Sequence, residues 1–108
     1  MLGLLLLPAA LRRLRGCRRR DSRRFFTAAQ KRVLLRRAGY RCEHVSPLGR
    51  RCRRTRALQA DHVVPWSRGG PTRIANGAIL CAAHNRAKRA RMPSRRARRR
   101  LALRRRKY

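Results

Sequence analysis

The chain has 108 residues, and its 33 lysines and arginines against three acidic residues give a formal charge of +30. A chain this short excludes a large hydrophobic core, so we expect one domain that needs a metal ion or disulfide bonds to be stable. Such a charge favours polyanionic partners: nucleic acid is the first candidate, and an anionic membrane surface is the second.

The first 24 residues combine an apolar run with an arginine-rich stretch that has little periodicity. The run from Met1 to Ala10 has no basic residue ahead of it and is too short to span a membrane. We therefore expect a cytoplasmic protein with no membrane partner. Residues 1–24 are interpreted as a basic arm that is disordered or loosely helical.

A helix is predicted at residues 28–38. Thr27 and Gln30 have the spacing of a capping box, in which each side chain accepts a hydrogen bond from the other residue's backbone N–H. Val33, Leu34 and Ala38 supply an apolar stripe, and Gly39 suits the left-handed position after a helix.

The middle of the chain predicts two short strands and a second helix. Residues 40–56 have the composition of a loop with a turn at Ser46–Gly49. The first strand is predicted at Leu58–Val64, before Pro65, and the second at Ala78–Leu80. The second helix is predicted from Ala82 to about Arg91, before Pro93. Residues 93–108 are mostly arginine, and we expect a basic disordered tail there.

Three of the four cysteines and one histidine are candidate ligands for a zinc ion. Cys81 and His84 have the two-residue gap that lets two side chains reach one tetrahedral ion. Cys42 and Cys52 are nine residues apart, a wide gap that the turn at Ser46–Gly49 can close. His44 is a competing ligand in place of Cys52, and buried free thiols are the alternative to any metal site. Disulfides are less favoured because no export is expected.

A second group of polar residues suits the hydrolysis of a phosphodiester. His62 has a side chain whose pKa allows it to take a proton from water near neutral pH. Asp61 and Asn85 offer the oxygen ligands that a hard divalent ion prefers. Taken alone, such a histidine is more often an ordinary surface or core residue than a base, and Asn76 with Gly77 is a common turn.

The order and spacing of these residues resemble the HNH, or ββα-metal, nuclease family over residues 40–88. The resemblance rests on D-H-x-x-P-x-S-x-G-G from Asp61 to Gly70, on Asn76, and on L-C-x-x-H-N-x-x-K from Leu80 to Lys88. Asn85 stands where many family members have His, and His84 stands where most zinc knuckles have Cys.

The resemblance implies a role for each residue. His62 would be the general base, Asn76 would hold the loop that orients His62, and Asp61 and Asn85 would bind one catalytic Mg²⁺ or Mn²⁺. A separate structural zinc would be bound by Cys42, Cys52, Cys81 and His84. DNA phosphates would be contacted by Arg68, Arg86, Lys88 and Arg89.

The sequence thus predicts an α+β protein with a small ββα-metal fold and a zinc knuckle, preceded by a helix and flanked by basic disordered tails. The nuclease domain is expected at residues 25–92, acting on double-stranded DNA in a bacterial or phage-infected cell. Monomer and weak dimer both stay open. The alternatives are a non-catalytic zinc-knuckle nucleic-acid-binding protein and a small arginine-rich protein bound to ribosomal RNA.

Overall fold

The computed structural model describes residues 19–105. Within this range the chain forms three helices and one two-stranded antiparallel sheet, which confirms the predicted α+β fold. The elements are α1 (Ala28–Ala38), β1 (Leu58–His62), β2 (Gly77–Cys81), α2 (Ala82–Lys88) and α3 (Arg95–Arg105). In the same range no helix has the length and apolar character that a bilayer crossing requires.

Helix α1 begins and ends where its sequence predicts. Thr27 and Gln30 form both hydrogen bonds of the capping box, and Gly39 ends the helix in the left-handed conformation with φ of 66°. The inward stripe of the helix buries Leu34 and Ala38 against Ile79 of β2. Leu34 also lies so close to Gly77 that a Cβ there would fall 2.7 Å from its side chain. Helix α1 and the sheet therefore share one small core.

The two strands pair in a register that runs from Leu58 opposite Cys81 to His62 opposite Gly77. Strand β2 is buried along its whole length, as its continuous apolar run requires. Strand β1 ends at His62, two residues before the predicted Val64. The Val63 N–H still donates to the Asn76 carbonyl in register, but the Val64 N–H donates to the Asn76 side chain instead of to a strand partner.

Helix α2 follows β2 without a loop and ends at Lys88, three residues earlier than predicted. It packs against both strands and completes the order strand, strand, helix.

The prediction of a disordered tail at residues 93–108 is wrong over α3. This helix is held at its C-terminal end by Glu43, a buried carboxylate that pairs with Arg104 and Arg105. Its inward face also carries Ala97 and Leu101, which are partly buried. An acid that lies far away in the sequence therefore orders a segment whose composition predicts disorder. Residues 106–108 lie outside the described range.

The prediction of a disordered or loosely helical arm is also wrong at residues 19–24. This stretch is not helical, and hydrogen bonds hold it against the rest of the chain. The Asp21 carboxylate accepts hydrogen bonds from the backbone N–H groups of Arg23 and Thr72, each at 2.9 Å. The backbone carbonyl of Asp21 accepts a third from the Trp66 indole at 2.8 Å. One acid therefore fastens this stretch to the loop after β1. Residues 1–18 lie outside the described range.

Candidate active site and metal centre

The Cys/His cluster is built by two segments that meet at one end of the sheet. Cys42 and Cys52 are brought together by a short hairpin, in which Val45 pairs with Arg51 and the turn at Ser46–Gly49 closes the loop. The Cys52 N–H donates to the His44 carbonyl at 2.8 Å. Cys81 is the last residue of β2, so the wide gap between Cys42 and Cys52 is spanned by regular backbone pairing.

Cys42, Cys52, Cys81 and His84 each offer one ligand atom, and these four atoms all lie within 4.8 Å of one another. The Cys42 sulfur is 3.6 Å from Nδ1 of His84, and the Cys81 sulfur is 3.2 Å from the same nitrogen. Tetrahedral zinc with ordinary bond lengths would separate sulfur and nitrogen ligands by about 3.6 Å. The donor set and its spacing therefore fit zinc.

His44 is outside this group of four and stacks on the His84 ring, with ring centroids 4.0 Å apart. This contact supports the orientation of His84 and leaves the fourth ligand position to Cys52. Burial raises the pKa of the Cys42 thiol to about 11, so without a metal this sulfur stays protonated at neutral pH. A bound zinc ion would supply the charge that favours the thiolate.

The nuclease-like residues lie at the other end of the sheet, around a cavity of about 460 Å³. His62 ends β1 opposite Gly77, four positions along the strand from Leu58, which pairs with Cys81. The fold brings three of the four predicted catalytic residues to the cavity, together with a lysine. Its lining includes Asp61, His62, Asn85 and Lys88.

The His62 ring is buried, at 8 % exposure, and has a fixed hydrogen-bond partner. Its Nε2 lies 2.9 Å from the Thr72 hydroxyl, which itself donates to the backbone carbonyl of Arg23. Because the Thr72 proton is used in that bond, its oxygen accepts the Nε2 proton of His62. Nδ1 is then the nitrogen with a free lone pair. Phe26 packs against the ring at 4.6 Å between centroids.

Burial lowers the pKa of His62 below its ordinary 6.5, and the nearby charge of Asp61 only partly offsets this. The positive charge of Lys88 lowers the pKa further. The His62 imidazole therefore stays neutral down to a lower pH than the imidazole of an exposed histidine. A general base must be neutral in order to accept a proton.

Asn76 does not line this cavity, and its side chain holds the loop that follows His62. Its Oδ1 accepts from the Val64 N–H at 2.9 Å, and its Nδ2 donates to the carbonyls of Val64 and Pro71, each at 3.0 Å. Gly70 lies in the same loop, where a Cβ would fall 1.8 Å from the Val64 carbonyl oxygen. Both residues let the loop close tightly beneath His62.

Asp61 and Asn85 line the same cavity, and each has a partner within the chain. Lys88 lies 2.8 Å from the Asp61 carboxylate and also donates to the His62 carbonyl at 2.7 Å. The Asn85 amide nitrogen donates to Gln59, so its side-chain oxygen is the atom left for a ligand. One carboxylate and one amide oxygen, completed by water, suit Mg²⁺ or Mn²⁺. Lys88 would have to share Asp61 with that ion or leave it.

The other predicted phosphate contacts, Arg68, Arg86 and Arg89, are exposed, and Arg89 lines the cavity. Sequence reasoning missed Asp21, Thr72 and Glu43, which organise the site from behind. Asp21 and Glu43 carried one usable signal: they are two of only three acids in the chain. Thr72 carried none, because its role depends on a contact with Arg23, 49 positions away.

Comparison with known proteins is consistent with this geometry. Residues 49–91 match the model of the HNH endonuclease family, a segment that contains every predicted site residue except Cys42. Searches of curated proteins and of solved structures gave no match. The motif and the fold agree with this match, and residues 49–91 of this chain are similar to the HNH endonuclease family.

Proposed function

We propose that the protein is a metal-dependent endonuclease that hydrolyses DNA phosphodiester bonds, with His62 as the general base. One observation supports this most: His62 has its Nε2 hydrogen-bonded to Thr72 and shares a cavity with Asp61 and Asn85. A histidine that served only the core would not need to lie beside a carboxylate and an amide in a cationic cavity.

Each side chain then has a defined task. Nδ1 of His62 takes a proton from the attacking water, while the Thr72 hydroxyl fixes the tautomer and the ring plane. Asp61 and Asn85 would hold one divalent ion, which stabilises the charge that develops on the phosphate and on the leaving oxygen. Asn76 keeps the loop after β1 in place and acts through the backbone.

The remaining assignments follow from charge and position. Lys88 borders the cavity and would contact a phosphate, as would Arg68, Arg86 and Arg89 around it. The zinc would be structural, since its four ligands lie at the other end of the sheet from His62. We propose double-stranded DNA as the substrate and the cytoplasm as the place of action.

The second candidate is a zinc-knuckle protein that binds nucleic acid without cutting it. The contact between Lys88 and Asp61 favours this alternative, because an ammonium group 2.8 Å from the carboxylate competes with a divalent ion. The two proposals differ in one result: a nuclease needs added Mg²⁺ or Mn²⁺ to act on DNA, whereas a binding module leaves DNA intact with either ion.

Plasmid relaxation tests the choice. Zinc-loaded protein is incubated with supercoiled plasmid in the absence and presence of Mg²⁺ or Mn²⁺, and the products are separated on a gel. We expect nicked or linear DNA only with the added ion. Intact plasmid under all conditions, with DNA binding retained, would establish the binding module instead.

A further inference from the structure

Helix α3 contains no acidic residue and seven arginines. Like charges three or four positions apart destabilise an isolated helix by about 0.2–0.5 kcal/mol per pair. The conformation of α3 therefore depends on contacts outside the helix. These contacts are concentrated on one face, and they leave the opposite face free.

The main contact is with Glu43, whose side chain is fully buried beside β2. Arg104 donates to its carboxylate at 2.6 Å, and Arg105 at 3.2 Å. Oε1 of Glu43 also accepts from the Ile79 N–H at 3.0 Å, so the carboxylate is fixed to the sheet. Arg104 and Arg105 reach further, to the carbonyls of Arg37 and Gly77.

Two more contacts fix the direction of the helix. Arg100 donates to the Val45 carbonyl at 3.2 Å. Ala97 and Leu101 line a cavity of about 320 Å³ that also contains residues of β1, β2 and α2. The residues of α3 that face the rest of the protein therefore recur at helical spacing: Ala97, Arg100, Leu101 and Arg104.

The opposite face carries Arg95 and Arg99, one turn apart and both exposed, with the exposed Arg96 beside them. All three acids of the chain are engaged elsewhere in the described structure: Asp21 by backbone N–H groups, Asp61 by Lys88, and Glu43 by α3 itself. The outward arginines therefore have no carboxylate available to them within residues 19–105.

The inward face of α3 lies near the candidate active site. The cavity beneath α3 and the cavity around His62 share two lining residues, Asp61 and Lys88. A duplex whose scissile phosphate reaches His62 would pass close to α3. Guanidinium groups with no internal partner match a row of phosphates in charge and hydrogen-bond geometry.

We propose that α3, docked through Glu43, is a fixed binding surface for the phosphate backbone of duplex DNA, centred on Arg95 and Arg99 and set beside the catalytic cavity. The proposal deepens the proposed function by assigning a second contact with the same substrate. It differs from a flexible cationic tail, which would bind DNA through any of its arginines without a fixed direction.

The test uses two pairs of arginines with the same spacing. Arg95→Gln/Arg99→Gln removes two exposed charges from α3, and Arg32→Gln/Arg36→Gln removes two from the exposed face of α1. Affinity of the full-length, zinc-loaded chain for a short fluorescent duplex is measured by anisotropy against salt concentration, without Mg²⁺ or Mn²⁺.

Two lost phosphate contacts should flatten the log–log salt slope by about 1.8 in the α3 variant. The α1 variant should flatten it by less than about 0.9, the value for a single contact. An unchanged slope in the α3 variant, or equal flattening in both variants, would overturn the proposal.

Docking is tested by hydrogen exchange in the absence of DNA. The amides of residues 98–105 should be protected in the wild-type protein and should lose that protection in Glu43→Gln, with zinc retained. If Glu43→Gln loses zinc, Arg104→Gln/Arg105→Gln replaces it, since these two residues lie outside the sheet. Unprotected amides in the wild type, or protection that persists in the variant that keeps its zinc, would contradict a docked helix.

The two proposals fail separately. Binding is measured without a divalent ion, so a protein that shows the expected salt slopes but never cuts DNA in Mg²⁺ or Mn²⁺ refutes the nuclease and keeps the α3 surface. A protein that cuts DNA but shows equal salt slopes for both arginine pairs refutes the α3 surface and keeps the nuclease.

Discussion

The two ends of the β1–β2 sheet hold their functional groups in different ways. At the Cys81 end, the four proposed zinc ligands lie within 4.8 Å of one another, and two of the sulfurs are buried. At the His62 end, the histidine is also buried, but Asp61 is partly exposed and pairs with a lysine. The ligands at the first end have the spacing of one closed metal site, whereas at the second end Lys88 would have to share Asp61 with an incoming ion or leave it.

This difference matches what each end has to do. A structural metal stabilises a fold through ligands that are fixed and closed to solvent. A catalytic centre needs one rigid group, the base, and an open position where substrate and ion can enter. We therefore expect changes at the Cys81 end to affect folding and changes at the His62 end to affect catalysis.

Cys81→Ser should cause the largest change. The serine hydroxyl is a poor zinc ligand, so the protein should lose its zinc and, with it, the cooperative thermal unfolding that a core of this size cannot sustain alone. Zinc content and a melting curve followed by circular dichroism measure this. Cys17→Ser, at the one cysteine outside the predicted zinc set, is the matched control and should keep both. A Cys81→Ser protein that melts like the wild type would refute the structural zinc.

Asp61→Ala should raise the Mg²⁺ requirement for cleavage without changing the fold. Loss of a partner that merely supports a metal ligand costs about 10–100-fold in metal affinity, so loss of a direct ligand should cost at least as much. A titration of the cleavage rate with Mg²⁺ measures the shift. An unchanged half-saturating Mg²⁺ concentration would mean that Asp61 pairs with Lys88 and does not bind the ion.

Thr72→Val should slow cleavage by about fivefold, because it removes one hydrogen bond worth about 1 kcal/mol that holds the His62 tautomer. Thr72→Ser keeps the hydroxyl and should restore most of the rate. Single-turnover rates at saturating Mg²⁺ make the comparison. Equal losses in the two variants would indicate that Thr72 acts through packing instead of through its hydroxyl.

Glu43 gives the smallest expected effect, a dependence of stability on pH. Burial alone would raise its pKa, but hydrogen bonds from Arg105, the Ile79 N–H and Arg104, with the charge of Arg105, hold the pKa below the ordinary 4.5. Its contribution is therefore complete above about pH 4.5 and is lost as the pH falls through the lower, folded-state pKa.

The difference in melting temperature between the wild type and Glu43→Gln should accordingly be largest near neutral pH and should shrink in acid. Using the difference cancels the effect of zinc release, which both proteins share. A difference that is constant with pH would show that Glu43 is not ionised in the folded protein.

Sequence patterns predicted the elements whose signals are local. The capping box of Thr27 and Gln30 set the start of α1, the apolar run set β2, and the Cys81–His84 spacing identified half of the metal cluster. Each of these features depends on residues a few positions apart. The family motif added His62 and Asn76, whose roles depend on a loop of fixed length.

Patterns failed where a single distant acid decides the structure. Glu43 orders α3 from 61 positions away, and Asp21 fastens residues 19–24 to Thr72 across 51 positions. Composition describes both segments as too basic to fold by themselves. It gives no information on which buried carboxylate will pair with which arginine, because such a pairing depends on the finished fold.

The pH dependence of single-turnover plasmid cleavage in the wild type and in His62→Ala tests the central claim most directly. Because the pKa of His62 is lowered, the wild-type rate should rise with pH through a value below 6.5 and then level off. His62→Ala should keep its zinc and its DNA affinity, lose this rise, and cut roughly 10²–10⁴ times more slowly. A His62→Ala protein that cuts at the wild-type rate with the same pH profile would contradict the account.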